Sequence, residues 1–260
     1  MALFQSNCFS EILGVSVSFN VIIPQNTEGQ IGLSTPDDRD AFPVLYLLHG
    51  LSDDHSFWCR MTSIERYASE AGLAVVMPAV NRSFYTDMTH GYNYHTFIAD
   101  ELPELVKQFF PVSHQRQDTF IAGLSMGGYG CMKMALTYPE RYAAAASLSG
   151  ALDPAGDPDL LTELKDDMEL CYGGAERLAG TDNDLFTLAD QLVSSGNERP
   201  ALYAWCGTED ALYPENLSFR DHCERIGLEL TYEENVGDHG WKHWDDKIQR
   251  VIEWLPGLSR

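Results

Sequence analysis

Thr119-Phe120-Ile121-Ala122-Gly123-Leu124-Ser125-Met126-Gly127-Gly128 decides the fold, because three local signals follow one another without a break. The first four residues are short, β-branched and apolar, the signature of a buried strand. From Gly128 to Tyr138, Met132, Ala135 and Leu136 recur at helical spacing, and the run stops at Pro139. Between strand and helix stands Gly-x-Ser-x-Gly. A strand that turns directly into a helix leaves no room for side chains beside the turn, hence Gly123 and Gly127. The same turn presents the Ser125 hydroxyl at the helix N-terminus, where N–H groups and the positive end of the helix dipole can receive a developing negative charge. A chance Gly-x-Ser-x-Gly in a glycine-rich loop would lack both flanks.

Outward from this stretch, strands alternate with helices. Residues 42–48 form a continuous apolar strand running into His49-Gly50-Leu51-Ser52, and 73–77 form another, ended by Pro78. Between them, 62–72 has helical spacing and a glycine stop. Residues 94–110 predict a helix with Phe97, Leu102, Leu105, Val106 and Phe109 on one face. Strands are expected at 142–148, 201–206 and 228–233, and helices at 214–226 and 241–255. The last helix should turn Trp241, Trp244, Ile248, Ile252 and Leu255 inward. Residues 16–23 alternate as a half-exposed antiparallel strand does, and 25–40 read as a surface loop. The alternation implies an α/β chain with a mainly parallel sheet covered on both faces. Residues 153–195, rich in Asp, Gly and Leu with short helical patches, interrupt the rhythm and read as a small cap-like insertion in a single domain spanning 1–260.

Composition narrows the partners. With 260 residues, 44% of them hydrophobic, the chain can bury a large core, so disorder is excluded. A net charge of −22 argues against nucleic acid and against an anionic membrane surface. The N-terminus has neither a basic segment nor a long apolar run of a secretory signal, and no window is apolar enough to span a bilayer. Six scattered cysteines without a Cys-x-x-Cys read as free thiols in a reducing compartment, with cytoplasm the expectation. A homo-oligomer is compatible with all of this.

A serine hydroxyl needs a base to take its proton, and the base needs an acid to orient it. In a doubly wound sheet these follow the serine in the order acid, then histidine, on loops at strand C-terminal ends. Asp210 lies just past the strand that ends at Cys206, in Cys206-Gly207-Thr208-Glu209-Asp210. His239 lies between the last strand and the last helix, in Gly237-Asp238-His239-Gly240-Trp241. Glu209 is a rival for the acid and His243 for the base, while Asp238 reads as a loop former. His239 and His243 lack the intervening glutamate of a zinc protease, a weak metal signal, so no metal and no cofactor is expected. An oxyanion hole needs two N–H groups. Met126 supplies one, and Leu51, after the strand at 42–48, the other, with Gly50 letting the backbone approach and His49 bracing the loop.

With these residues in place, the chain resembles the esterase D family of α/β-hydrolases, and within it the bacterial tributyrin-esterase group, over nearly its whole length. The likeness rests on Leu48-His49-Gly50-Leu51-Ser52-Asp53-Asp54-His55, Arg82-Ser83-Phe84-Tyr85-Thr86-Asp87, Glu101-Leu102-Pro103, Gly123-Leu124-Ser125-Met126-Gly127-Gly128-Tyr129-Gly130, and the segments around Asp210 and His239. It implies an α/β-hydrolase fold with Ser125 as nucleophile, Asp210 as acid and His239 as base. It also implies short-chain carboxylic esters as small-molecule substrates, including acetylated sugars in some relatives. S-formylglutathione hydrolases share the Tyr-x-Asp and Glu-Leu-Pro neighbourhoods, so a glutathione thioester is the alternative, as is acyl transfer with the same triad. A scaffold protein on this fold would usually have lost the nucleophile or the base. The expected acyl pocket is short, closed by Phe57, Trp58, Phe84, Tyr85 and Trp241.

Overall fold

The computed structural model describes residues 1–25, 27, 29, 31, 40–156 and 162–258. Its strands are β1 (Ala2–Ser10), β2 (Val15–Ile23), β3 (Val44–Leu48), β4 (Ala74–Pro78), β5 (Thr119–Leu124), β6 (Ala144–Leu148), β7 (Ala201–Gly207) and β8 (Thr231–Asn235). They form one sheet in the order β1-β2-β4-β3-β5-β6-β7-β8. β1 and β2 pair antiparallel, β2 meets β4 antiparallel, and every pair from β4 to β8 is parallel.

The helices are α1 (Phe57–Met61), α2 (Ile64–Ala71), α3 (94–109), α4 (Met126–Thr137), α5 (Lys165–Tyr172), α6 (Leu185–Ser195), α7 (Tyr213–Ile226) and α8 (Trp241–Trp254). Side chains of a strand alternate between faces. Tyr46 and Leu48 accordingly join a core with Tyr129, Met132 and Phe219, and Leu45 and Leu47 join a second core with Trp58, Ile64 and Ile248. One face thus carries α3 to α7 and the other α1, α2 and α8. This is why β3 reads as an unbroken apolar run and β6 as one broken only by Ser147, both buried at every position.

Several expectations shift. The loop expected at 25–40 lies mostly outside the described residues. β1 gives little alternating signal of its own and is a strand because β2 pairs with it from Ala2↔Ile23 to Ser10↔Val15. The last strand begins at Thr231 rather than 228, because Leu228 closes the C-terminal turn of α7, its N–H donating to Cys223 O at 2.9 Å. Phe109 is exposed instead of inward-facing. Phe110 leaves the helix in extended backbone and places its ring edge-on to Phe4 at 5.4 Å. α3 widens to a π-type stretch at Phe97–Glu101. Pro103 has no N–H to offer Ala99 O, and Arg141 Nη1 donates there instead at 2.7 Å.

The segment 153–195 holds α5, a 3₁₀ turn (Ala175–Arg177) and α6, with no strand among its described residues; 157–161 lie outside them. α6 packs on α4. α5 is tied to the loop after β4 by Arg82–Asp167 at 2.6 Å and by N–H bonds from Thr89 and His90 to Cys171 O and Leu170 O. Among the described residues no helix is long and apolar enough to cross a membrane.

Candidate active site

Ser125 links β5 to α4 at φ 55, ψ −120, a backbone region that L-residues rarely adopt. The flanking glycines are required by contact. A Cβ at Gly123 would stand 2.3 Å from Gly127 O, and one at Gly127 would stand 2.5 Å from Leu48 O. The turn is pinned to β6: Ser125 N–H donates to Leu148 O at 3.0 Å, and Ser125 O accepts from Ala151 N–H at 3.2 Å.

Asp210 sits on the loop after β7 with its side chain wholly buried. Its Oδ1 accepts the Leu212 N–H at 2.9 Å. His239, between β8 and α8, places Nδ1 2.9 Å from Asp210 Oδ2 and Nε2 3.1 Å from Ser125 Oγ. Facing a buried carboxylate, Nδ1 carries the proton, which leaves Nε2 to accept from the serine hydroxyl. Burial pushes the Asp210 carboxyl up, but the hydrogen bond and charge of His239, the Leu212 N–H and the Ser149 hydroxyl outweigh it and hold it below its ordinary value. Such a line can draw the proton from Ser125 and stabilise the imidazolium that results.

The rival residues point elsewhere. Glu209 is exposed. Asp238 meets Lys242 Nζ at 3.1 Å and His243 Nε2 at 3.2 Å, and the His243 ring lies 5.9 Å from that of Trp205. Among the described residues no cluster of three His, Cys, Asp or Glu side chains is arranged for a metal ion.

Sequence reasoning missed two supports of the acid and base. Ser149, just past β6, has φ 48 and is fully buried. Its hydroxyl accepts the Trp244 indole N–H at 3.1 Å and bonds to Asp210. The Trp244 ring in turn stands edge-on to His239 at 4.9 Å. Trp244 was legible only as an inward position of α8. Ser149 had a weak signal, a Ser-Gly pair at a strand's C-terminal end.

The loop after β3 is held at several points. Burial drives His49 down to about 4, so it is neutral. Its Nδ1 lies 2.6 Å from Gly50 O, and its Nε2 accepts the Val80 N–H at 3.0 Å, the bracing expected of it. Tyr85 Oη donates to His49 O at 2.9 Å and Trp58 Nε1 to Leu48 O at 3.0 Å. These bonds explain a correction: Trp58, Phe84 and Tyr85, expected at a pocket mouth, are buried, with Trp58 and Tyr85 supporting the loop from beneath. Phe57 and Trp241 are partly exposed, with ring centroids 6.2 Å apart. The N–H groups of Leu51 and Met126 have no acceptor among the described residues.

A mostly parallel sheet with a serine at the strand-to-helix turn after its central strand, and a histidine and a carboxylate on the loops that follow, defines a serine ester hydrolase of the α/β-hydrolase fold. The chain belongs to the putative esterase family, whose model matches residues 10–255. It is 29% identical to an acetyl esterase of Caldicellulosiruptor saccharolyticus, with all of both chains covered. Among solved structures it is similar to FphF, a fluorophosphonate-binding serine hydrolase of Staphylococcus aureus, at TM-score 0.84 and 36% identity over 100% of this chain and 99% of that one. It is also similar to the S-formylglutathione hydrolase FrmB of Staphylococcus aureus, at TM-score 0.85 and 37% identity over 99% of each.

Proposed function

We propose that this esterase cleaves short-chain acyl esters, acetylated sugars among them, through an acyl-enzyme on Ser125. The unbroken line Ser125–His239–Asp210 carries the reading. His239 Nε2 takes the hydroxyl proton as Oγ attacks the ester carbonyl, then gives it to the departing alcohol. A water, deprotonated by the same nitrogen, releases the acid. The N–H groups of Leu51 and Met126 hold the oxyanion of both tetrahedral intermediates, and Asp210 fixes the imidazole tautomer. The full-length identity to an acetyl esterase supports the acetyl end of the range. Rates on acetyl, butyryl and octanoyl nitrophenyl esters test it, with a mass shift on Ser125 as direct evidence of acylation. Activity should peak at two to four carbons. A steady rise to octanoyl, or no ester hydrolysis, would overturn it.

A thioesterase acting on S-formylglutathione is the second reading, favoured by the 37% identity to FrmB across nearly the whole chain. A dominant rate on S-formylglutathione in the same panel would install it.

A further inference from the structure

Two adjacent carboxylates in the loop after β3 have different employment. Asp54 Oδ1 accepts both the Ser56 N–H at 2.7 Å and the Ser56 hydroxyl at 2.6 Å, which fixes the approach to α1. Asp53 instead is half-buried beside the nucleophile. A Cβ at Gly50 would stand 2.7 Å from Leu124 Cδ1, 3.1 Å from Asp53 Oδ2 and 3.6 Å from Ser125 Cβ, so the bare glycine lets the carboxylate and the serine close on the same point. Asp53 also feels the charge of His239. Because His239 hands the proton to the departing alcohol, a carboxylate close to Ser125 and within the field of His239 is placed to meet that alcohol.

We propose that Asp53 is the leaving-group subsite of this esterase, accepting hydrogen bonds from a hydroxyl-rich, sugar-type alcohol and repelling an anionic one such as glutathione. The inference rests on the proposed ester hydrolysis at Ser125 and names its substrate class. A carboxylate this near Ser125 works against an oxyanion forming there. A hydroxyl donor brought in by the substrate relieves that opposition, because hydrogen bonds to a charged acceptor are strong and neutralise its field locally. Burial, aided by the charge of Asp54, holds the Asp53 carboxyl above its ordinary value against the Gly50 N–H, the Ser52 hydroxyl and the charge of His239. Glutathione arrives with two carboxylates and one ammonium, and the chain's net charge of −22 adds to the local repulsion.

The test compares kcat/KM of wild type, Asp53→Asn and Asp53→Glu on a monoacetylated methyl xyloside, ethyl acetate, S-formylglutathione and the formyl thioester of 2-mercaptoethanol. In Asp53→Asn the sugar-to-ethyl ratio should fall about tenfold, and the glutathione-to-mercaptoethanol ratio should rise about tenfold. Asp53→Glu should keep the discrimination against glutathione and lose part of the sugar preference, and decides the matter if Asp53→Asn does not fold. Both ratios staying within twofold of wild type would overturn the proposal. So would a folded Asp53→Asn that loses all four substrates equally, which would make Asp53 a support of the loop. A wild type that hydrolyses none of the four and forms no acyl-enzyme would sink the reading at Ser125 itself.

Discussion

The serine and the histidine that face each other across the site come from regions built in opposite ways. Ser125 stands near the middle of the sheet, at the end of a strand flanked by β3 and β6, both buried along their whole length. Main-chain contacts hold it there: a strained φ, two glycines closed in by carbonyl oxygens, and bonds to Leu148 and Ala151. His239 hangs from the edge strand β8, most of whose residues meet solvent. Side chains place it, with Asp210 on one side and Trp244 on another. Steric closure of backbone leaves no alternative position, whereas a side chain held by side chains keeps some freedom. The nucleophile half should therefore fail abruptly when changed, and the base half by degrees.

The largest effect tests the abrupt half. Ser125→Ala should lower turnover on short esters by on the order of 10⁴-fold or more while leaving the melting temperature near wild type. Retention of a tenth of wild-type activity would break both the assignment and the comparison. His239→Ala should be about as severe, because a serine without its base gains little from its fixed position.

Next comes the acid. Asp210→Asn should cost on the order of 10²- to 10⁴-fold in kcat, because an amide can donate to Nδ1 and so favours the wrong tautomer. Glu209→Gln, on an exposed side chain, should stay within about twofold. Equal losses in steady-state rates would dissolve the distinction between the two neighbours.

The same division governs what could be read before the fold was seen. Backbone sterics leave marks in sequence, because only glycine fits at 123 and 127 and the flanking periods announce strand and helix. Asp210 and His239 were legible from their order and their places after apolar runs. Ser149 and Trp244 were not, since their partners are 95 residues apart in sequence and a tryptophan at an inward helical position reads as core. Tyr85 and Trp58 were mistaken for pocket walls for a related reason: an aromatic residue declares its bulk but not which carbonyl its polar atom will reach. β1 escaped notice because its order is borrowed from β2.

Acid should separate the halves as well. His49, which braces the nucleophile loop, is held neutral by burial with its value pushed down to about 4, and His95 is lowered likewise, by burial and then by the charge of Lys133. Between that value and the ordinary 6.5, the unfolded chain binds protons that the folded chain refuses. Stability contributed by these two rings is thus full above 6.5 and declines as pH falls through the window. A loss of a few kcal/mol between pH 7 and pH 5 is expected, read as a lower urea midpoint. Asp210, whose carboxyl is held below its ordinary value, should contribute to the decline only at lower pH. A midpoint flat from pH 7 to pH 5 would contradict the neutral, buried state of both rings.

The smallest expected effect probes how the flexible half is steadied. Trp244 packs perpendicular to the His239 ring and reaches Asp210 through the Ser149 hydroxyl, so one side chain aligns base and acid together. Ser149→Ala removes the hydroxyl from Asp210 and leaves the indole N–H without its acceptor. Trp244→Phe keeps most of the ring and removes the N–H. Each should lower kcat about tenfold with KM little changed, because substrate does not meet either residue. The double variant should lose far less than the product of the two, since both act on the same bond. A hundredfold loss in the double variant would mean that Ser149 and Trp244 act independently, and that the histidine half is steadied by separate contacts instead of one chain.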